Sequence, residues 1–172
     1  MPRMEDNLPT AKGSYALLFH LSQPAQLKIG RLGKFAFSPG NYLYLGSAGG
    51  SGGLRARLRH HLRIAERPHW HLDWLRPHLE ARAVFYTLAG ENGAPLECVW
   101  AAEASSRAAA SVRPGAGVPA PGFGASDCRQ GCAAHFFRLP DGFEIADVRQ
   151  LLQDSGNCQV FVIIPSDRAV SC

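Results

Sequence analysis

Two side-chain periodicities meet across a run of glycines between Asn41 and Arg63, and no other stretch constrains the chain as much. In Asn41-Tyr-Leu-Tyr-Leu-Gly, Tyr42 and Tyr44 stand two apart and share one face of an extended segment, while Leu43 and Leu45 take the other. Gly46 is expected to end this strand. Gly49, Gly50, Gly52 and Gly53, with Ser47 and Ser51, make a loop that a ligand can approach closely because no bulky side chain blocks its backbone. From there Leu54, Leu58 and Leu62 recur at the spacing of a buried helical stripe. Arg57 and His61 fall together on one shoulder of that stripe, and Arg55, Arg59 and Arg63 form a second cationic row on the other. The plain alternative is a solvated basic helix after an ordinary turn. The tyrosine strand directly upstream favours an active-site core.

The charge balance agrees with that placement. Residues 1–82 carry twelve Lys or Arg against five Asp or Glu, and residues 83–172 carry six against nine, so a formal net charge of +4 divides into +7 and −3. Positive charge gathered around the tyrosine strand and arginine helix points to a phosphate-bearing partner, nucleic acid above all. Excess arginine that only aids solubility is the competing account.

At 172 residues and 46% apolar content the chain suits one domain with a core of its own. Five cysteines (Cys98, Cys128, Cys132, Cys158 and Cys172), with no apolar signal segment ahead of them, fit reduced thiols and a cytoplasmic location. The longest apolar run, Val160 to Ile164, is strand-sized, so no membrane span is expected.

Read in order, residues 1–12 are polar and form an expected loose arm, followed by a single domain from Gly13. Alternation predicts a strand over Tyr15 to Leu21, covered on both faces, with His20 hydrogen-bonded locally at its end. Leu27 to Phe37 reads as a hairpin turning near Arg31 to Gly33. A helix with Pro68 in its first turn, a strand over Ala83 to Ala89, and a helix over Pro95 to Arg107 follow. Ser111 to Gly124 is a Gly, Pro and Ala loop, either flexible or functional. Ala134 to Phe137 is strand-like, and from about residue 138 an extension carries a helix over Ile145 to Leu152 and a strand over Gln159 to Ile164. The fold class is α+β: a small antiparallel sheet flanked by helices, with the extra hairpin inserted.

Gly13-Ser14-Tyr15 on the first strand, Tyr44-Leu45-Gly46 on a later one, and Leu54-x-x-Arg57-Leu-x-x-His61 on the helix after it resemble the GIY-YIG nuclease superfamily. His69-Trp-His-Leu-Asp-Trp-Leu, Leu96-Glu97-Cys98 and Pro121-Gly-Phe-Gly-Ala-Ser-Asp-Cys128 with His135-Phe-Phe look like its Uri-type subfamily, so the resemblance runs from about Gly13 to Phe137. It implies a divalent-metal-dependent endonuclease acting on DNA. Tyr15 and Tyr44 match the two motif tyrosines, Arg57 the helix arginine, and Glu97 the glutamate that binds Mg²⁺ or Mn²⁺. His61 would support them, with Arg55, Arg59 and Arg63 contacting nucleic acid. The chemistry suits these types. One carboxylate completed by water and a phosphate oxygen is a common Mg²⁺ site, and a forked, permanently charged guanidinium can hold a phosphate oxygen. A tyrosine with an ordinary pKa of about 10 needs a metal or cation to act as a base, or else only orients water. The chain departs from the pattern in the twenty-eight residues between Tyr15 and Tyr44, more than is usual in the superfamily, and in the lack of an assignable late amide, Asn92 and Asn157 both fitting poorly.

Other groupings compete. Cys128, Cys132 and His135, completed by His69 or His71, could bind zinc, although the spacing is loose. The bland account makes Cys128 a small buried residue and His135 a partner of Asp127 or Ser126. Asp73 and Asp127 are candidates to hydrogen-bond and orient a metal-binding side chain, or else turn formers. Trp70, Trp74 and Trp100 stack on bases or fill core. Glu103, six residues beyond Glu97, points elsewhere. Two further readings of function therefore stand beside the nuclease: a nucleic-acid binding module that does not cut, and a zinc-stabilised interaction protein.

Overall fold

A computed structural model describes residues 4–89, 95–111 and 115–165; Asn92 and Cys172 lie outside them. In chain order the elements are β1 (Gly13–Leu21), β2 (Ala25–Ile29), β3 (Gly33–Phe37), β4 (Gly40–Ala48), α1 (Gly53–Leu62), α2 (His71–Leu75), β5 (Leu79–Leu88), α3 (Glu97–Ala110), β6 (Phe136–Arg138), α4 (Ile145–Gly156) and β7 (Phe161–Ile163). Five strands form one antiparallel sheet in the order β6-β4-β1-β5-β7, and β2 pairs with β3 in a separate ribbon. The expected α+β class holds.

β1 is central and buried on both faces because both of its alternating sets are apolar. Tyr15, Leu17, Phe19 and Leu21 join Tyr42, Tyr44, Leu54, Leu58, Leu72 and Leu75 in one core cluster, so α1 and α2 cover that face. Ala16 and Leu18 join Leu43, Leu45, Trp100, Ala104, Val148 and Leu151 in the other, under α3 and α4. Each fully buried leucine contributes roughly 1.5–3 kcal/mol, so the stripe at 54 and 58 anchors α1. Trp100 is core, its indole N–H donating to Leu152 O at 3.0 Å. His20 finds the expected local partner, Asn41 Oδ1 at 2.9 Å across the strand pair.

The long spacing between Tyr15 and Tyr44 is absorbed by the β2–β3 ribbon. It folds on itself and packs Ile29 and Phe37 on the tyrosine face, while β1 and β4 pair without a slip from Gly13↔Ala48 to Leu21↔Gly40.

Four sequence expectations need correction. The segment before Gly13 is not loose from Leu8 onward: Leu8 is fully buried, and Ala11 O and Pro9 O accept the N–H groups of Leu54 and Arg55, both at 2.9 Å. α1 starts from Gly52 without a side-chain cap, so the first-turn donors are satisfied by this strand of backbone instead. β4 runs past Gly46 to Ala48, held by its pairing with β1. α2 starts at His71 rather than near Pro68, because the Asp73 carboxylate accepts the N–H groups of His69 and Trp70, both at 2.9 Å, and sets the first turn there. Part of the Ser111 to Gly124 loop is built in: Gly117 exchanges two backbone hydrogen bonds with Arg138, and Ala120 and Phe123 are fully buried.

Candidate active site and metal centre

The β1–β4 register places Tyr15 opposite Gly46 and Leu17 opposite Tyr44, which makes the two tyrosines diagonal neighbours on one face. A side chain on Gly46 would collide with the Tyr15 hydroxyl, so the glycine is the space that hydroxyl occupies. Both rings meet the imidazole of His61 from α1, with centroids 5.8 Å from Tyr15 and 5.2 Å from Tyr44. His61 is 1% exposed, and neither ring nitrogen has a hydrogen-bond partner. Burial, with help from the neighbouring His60 and Arg57, pushes its pKa down to about 3, so the ring is neutral at ordinary pH. Burial raises Tyr15 well above the ordinary phenol value, with Tyr44 and Glu97 adding to the rise and Arg57 opposing it. Burial also raises Tyr44, again opposed by Arg57. Tyr15 therefore lies within electrostatic reach of Tyr44, Arg57 and Glu97, and Arg57 also reaches Tyr44 and His61.

Arg57 lies over the Trp70 ring, 4.3 Å from its centroid, a cation–π contact that holds the guanidinium in place. Trp70 is held in turn by Asp73, which is 2% exposed and also bonds His60 Nε2 at 3.1 Å. Asp73 is thus the N-terminal anchor of α2 that steadies the platform beneath Arg57. Arg57, His60 and Trp70 line a cavity of about 250 Å³ with Gly50, Ser51 and Gly53 of the loop. Gly49 and Gly50 have open space where a side chain would stand, so neither packing nor a positive φ requires glycine there. Gly52 and Gly53 differ, with φ of 80° and 53°.

Glu97 opens α3 on the opposite face of the sheet. Ser14 Oγ accepts the Leu96 N–H at 2.8 Å, fixing the helix start against β1, and Ser47 Oγ donates to Glu97 Oε1 at 3.0 Å. Oε2 is buried with no partner. Leaving a buried carboxylate oxygen unpaired is expensive, and it is the atom a cation would satisfy. Glu103 instead pairs with Arg107 at 2.7 Å, consistent with its expected divergence from Glu97. Asn157 takes the left-handed position that ends α4, with φ of 43°, a structural role.

The expected nucleic-acid row is divided. Arg55 Nε donates to Leu8 O at 2.7 Å, and Arg59 pairs with Asp6 at 3.2 Å, so both bind the N-terminal segment. Arg63 caps the end of α1 and is exposed.

A second cluster lies one residue beyond Glu97. The ligand atoms of Cys98, Cys128, Cys132 and His135 all lie within 4.8 Å of one another, with Cys98 Sγ 3.6 Å from Cys128 Sγ and 3.8 Å from His135 Nε2. These four residues could hold a metal ion. The fourth member is Cys98, not His69 or His71; His71 Nδ1 instead accepts the Gly124 N–H at 3.0 Å. Nor is His135 a mere partner of Asp127 or Ser126: its backbone bridges Phe123 and Leu45 while its ring faces Cys98. Cys98 could not be found by spacing, because it comes from a different element, though its position beside Glu97 was a cue. His60, His61 and Asp73 also converge, but the Asp73 oxygens are already taken by two backbone N–H groups and His60.

Among the described residues no helix is long and apolar enough to cross a membrane. No curated protein and no solved structure matches the chain. One family does, over residues 14–156, a span holding every site residue named above. The chain belongs to that family, the domain of unknown function DUF123.

Proposed function

We propose that the chain is a divalent-metal-dependent endonuclease that hydrolyses phosphodiester bonds in DNA, working in the cytoplasm, and that its family is a Uri-type branch of the GIY-YIG superfamily. The observation that carries the reading is the gathering of Tyr15, Tyr44, Arg57 and His61, with Tyr15 in electrostatic reach of a half-buried Glu97 whose buried Oε2 has no partner. That oxygen fits a Mg²⁺ or Mn²⁺ ion, a hard cation that takes carboxylate oxygens and keeps water and phosphate oxygens for the rest of its shell. Such an ion, when bound, supplies positive charge to the phosphate and the departing oxygen.

The chain's own groups do the remaining work. Arg57, held on Trp70, meets a non-bridging phosphate oxygen as negative charge grows on it. The water oxygen bonds to phosphorus and gives up a proton to solvent as the ester P–O bond breaks, and the departing oxygen takes that electron pair and a proton from solvent. With both phenols raised by burial, Tyr15 and Tyr44 act as neutral groups that orient the water. Neutral His61 offers an unused ring nitrogen to accept a hydrogen bond from them or from the water. The open backbone at Gly49 and Gly50, the exposed Arg63 and the cavity beside Arg57 give the strand a path to the site.

A non-cleaving nucleic-acid module is the second reading, favoured by the burial of Tyr15 and Tyr44 at 2% and 4% exposure. The deciding experiment is cleavage of labelled DNA and RNA panels with Mg²⁺, with Mn²⁺ or with neither, comparing wild type with Arg57→Ala. Metal-dependent cutting of DNA that disappears in the variant supports the nuclease. Salt-sensitive binding without cutting under any metal supports the module.

A further inference from the structure

We infer that Cys98, Cys128, Cys132 and His135 form a zinc site that fastens the start of α3 to the loop beneath Tyr44. It stands apart from the proposed nuclease metal at Glu97 and holds whether or not the chain cuts nucleic acid. A tetrahedron with Zn–S bonds of ~2.3 Å has sulfur–sulfur edges of ~3.8 Å. The observed 3.6 Å between Cys98 and Cys128 and 3.8 Å from Cys98 to His135 Nε2 match such edges. Three thiolates and an imidazole are soft and borderline donors, the set that selects zinc over Mg²⁺. Four protein ligands leave no open position, which marks the site as structural. Binding releases the thiol protons to solvent as the sulfur–metal bonds form.

The connections on each side give the site its role. Cys98 follows Glu97 in the first turn of α3, so a fixed Sγ fixes the backbone that aims the Glu97 carboxylate. On the other side, the loop holding Cys128 and Cys132 begins at Phe123 and Gly124. Phe123 packs edge-on to Tyr44 at 6.3 Å, and a side chain on Gly124 would come within 2.9 Å of the Tyr44 ring. His135 passes directly into β6 beside Tyr44. One ion therefore joins the two parts of the chain that carry Glu97 and support Tyr44. Cys98, Cys128, Cys132 and His135 are positioning residues.

The full chain, purified from zinc-supplemented cells without chelator, should hold one zinc per chain by elemental analysis. Replacement by Co²⁺ should give thiolate-to-metal charge-transfer bands and the visible spectrum of a tetrahedral site. Cys98→Ser and Cys128→Ser should lose most of the zinc and those bands. Cys98→His should keep the metal with a shifted Co²⁺ spectrum, and Cys158→Ser, outside the cluster, should match wild type. Should a serine variant fail to fold, the Cys98→His spectrum still decides the ligand set. Less than about a tenth of an ion per chain in wild type, or a Cys98–Cys128 disulfide in the freshly purified protein, would overturn the site. A Cys98→His spectrum identical to that of wild type would remove Cys98 from it. A wild-type protein with full zinc occupancy that cuts no substrate under Mg²⁺ or Mn²⁺ refutes the nuclease alone.

Discussion

Glu97 and Cys98 are adjacent in the first turn of α3, yet they belong to centres built on opposite principles. The Glu97 centre is deliberately incomplete: a carboxylate oxygen without a partner, an imidazole with two idle nitrogens, and two phenols pressed into apolar surroundings. The Cys98 centre is closed, four soft donors turned on one another. Unsatisfied polar groups destabilise a fold and leave valence for a substrate, whereas mutually facing ligands leave nothing for one. One helix start thus carries both an unpaired carboxylate oxygen and a thiol of the closed cluster.

The largest expected effects separate the two centres by what is lost. Arg57→Ala and Glu97→Ala should each lower the proposed cleavage by about 10²–10³-fold or more, with melting temperatures close to wild type, because the first removes the cation proposed to meet the phosphate and the second the carboxylate proposed to hold the metal, rather than packing. A melt shifted as much as activity in either variant would merge the centres. Cys128→Ser should do the reverse first, lowering the melting temperature by about 10 °C through loss of metal-linked folding energy. A scanning calorimetry trace unchanged from wild type would show that the thiols hold nothing.

Next comes pH. Burial holds folded His61 near pKa 3, while the unfolded chain takes up its proton near the ordinary ~6.5. Between those values the unfolded state binds the extra proton, so this contribution to stability is full above pH ~6.5 and is lost progressively as pH falls. Urea midpoints measured from pH 7 down to 4 should decline, and less steeply in His61→Phe; parallel slopes would contradict the buried neutral ring. The smallest effect belongs to the loop. Gly49→Ala and Gly50→Ala should leave the urea midpoint within error and weaken DNA binding several-fold in a salt titration, since only a ligand contests that space.

Part of the first centre was legible from periodicity, while Tyr15 and Glu97 entered it only through the resemblance of their motifs. Tyr42 and Tyr44 on one face, and leucines at 54 and 58 turned inward, follow from periods of 2 and 3.6, and these place Arg57 and His61 near the tyrosines. The second centre was half legible. Cys128, Cys132 and His135 are close in sequence, but their fourth partner arrives from thirty residues before Cys128, and no local pattern reports which helix end will face which loop. The same limit left Asp73 between two readings, since its worth lies in three donors collected from separate places, and hid Leu8, an apolar residue in a mostly polar segment. Arg55 and Arg59 read as a row for nucleic acid because helical spacing reports direction, not which partner lies there.

The β2–β3 ribbon carries a different lesson. Its two ends leave the sheet at Leu21 and return at Gly40, a directly paired couple, so whatever is spliced between them meets the scaffold at a closed doorway. Sequence added at the exposed Ser22 to Pro24 leaves Tyr15 and Tyr44 at their stations, provided Ile29 and Phe37 keep packing on the tyrosine face. That doorway is where a graft, a tag or a new recognition arm would be accommodated with the least disturbance to the chemistry.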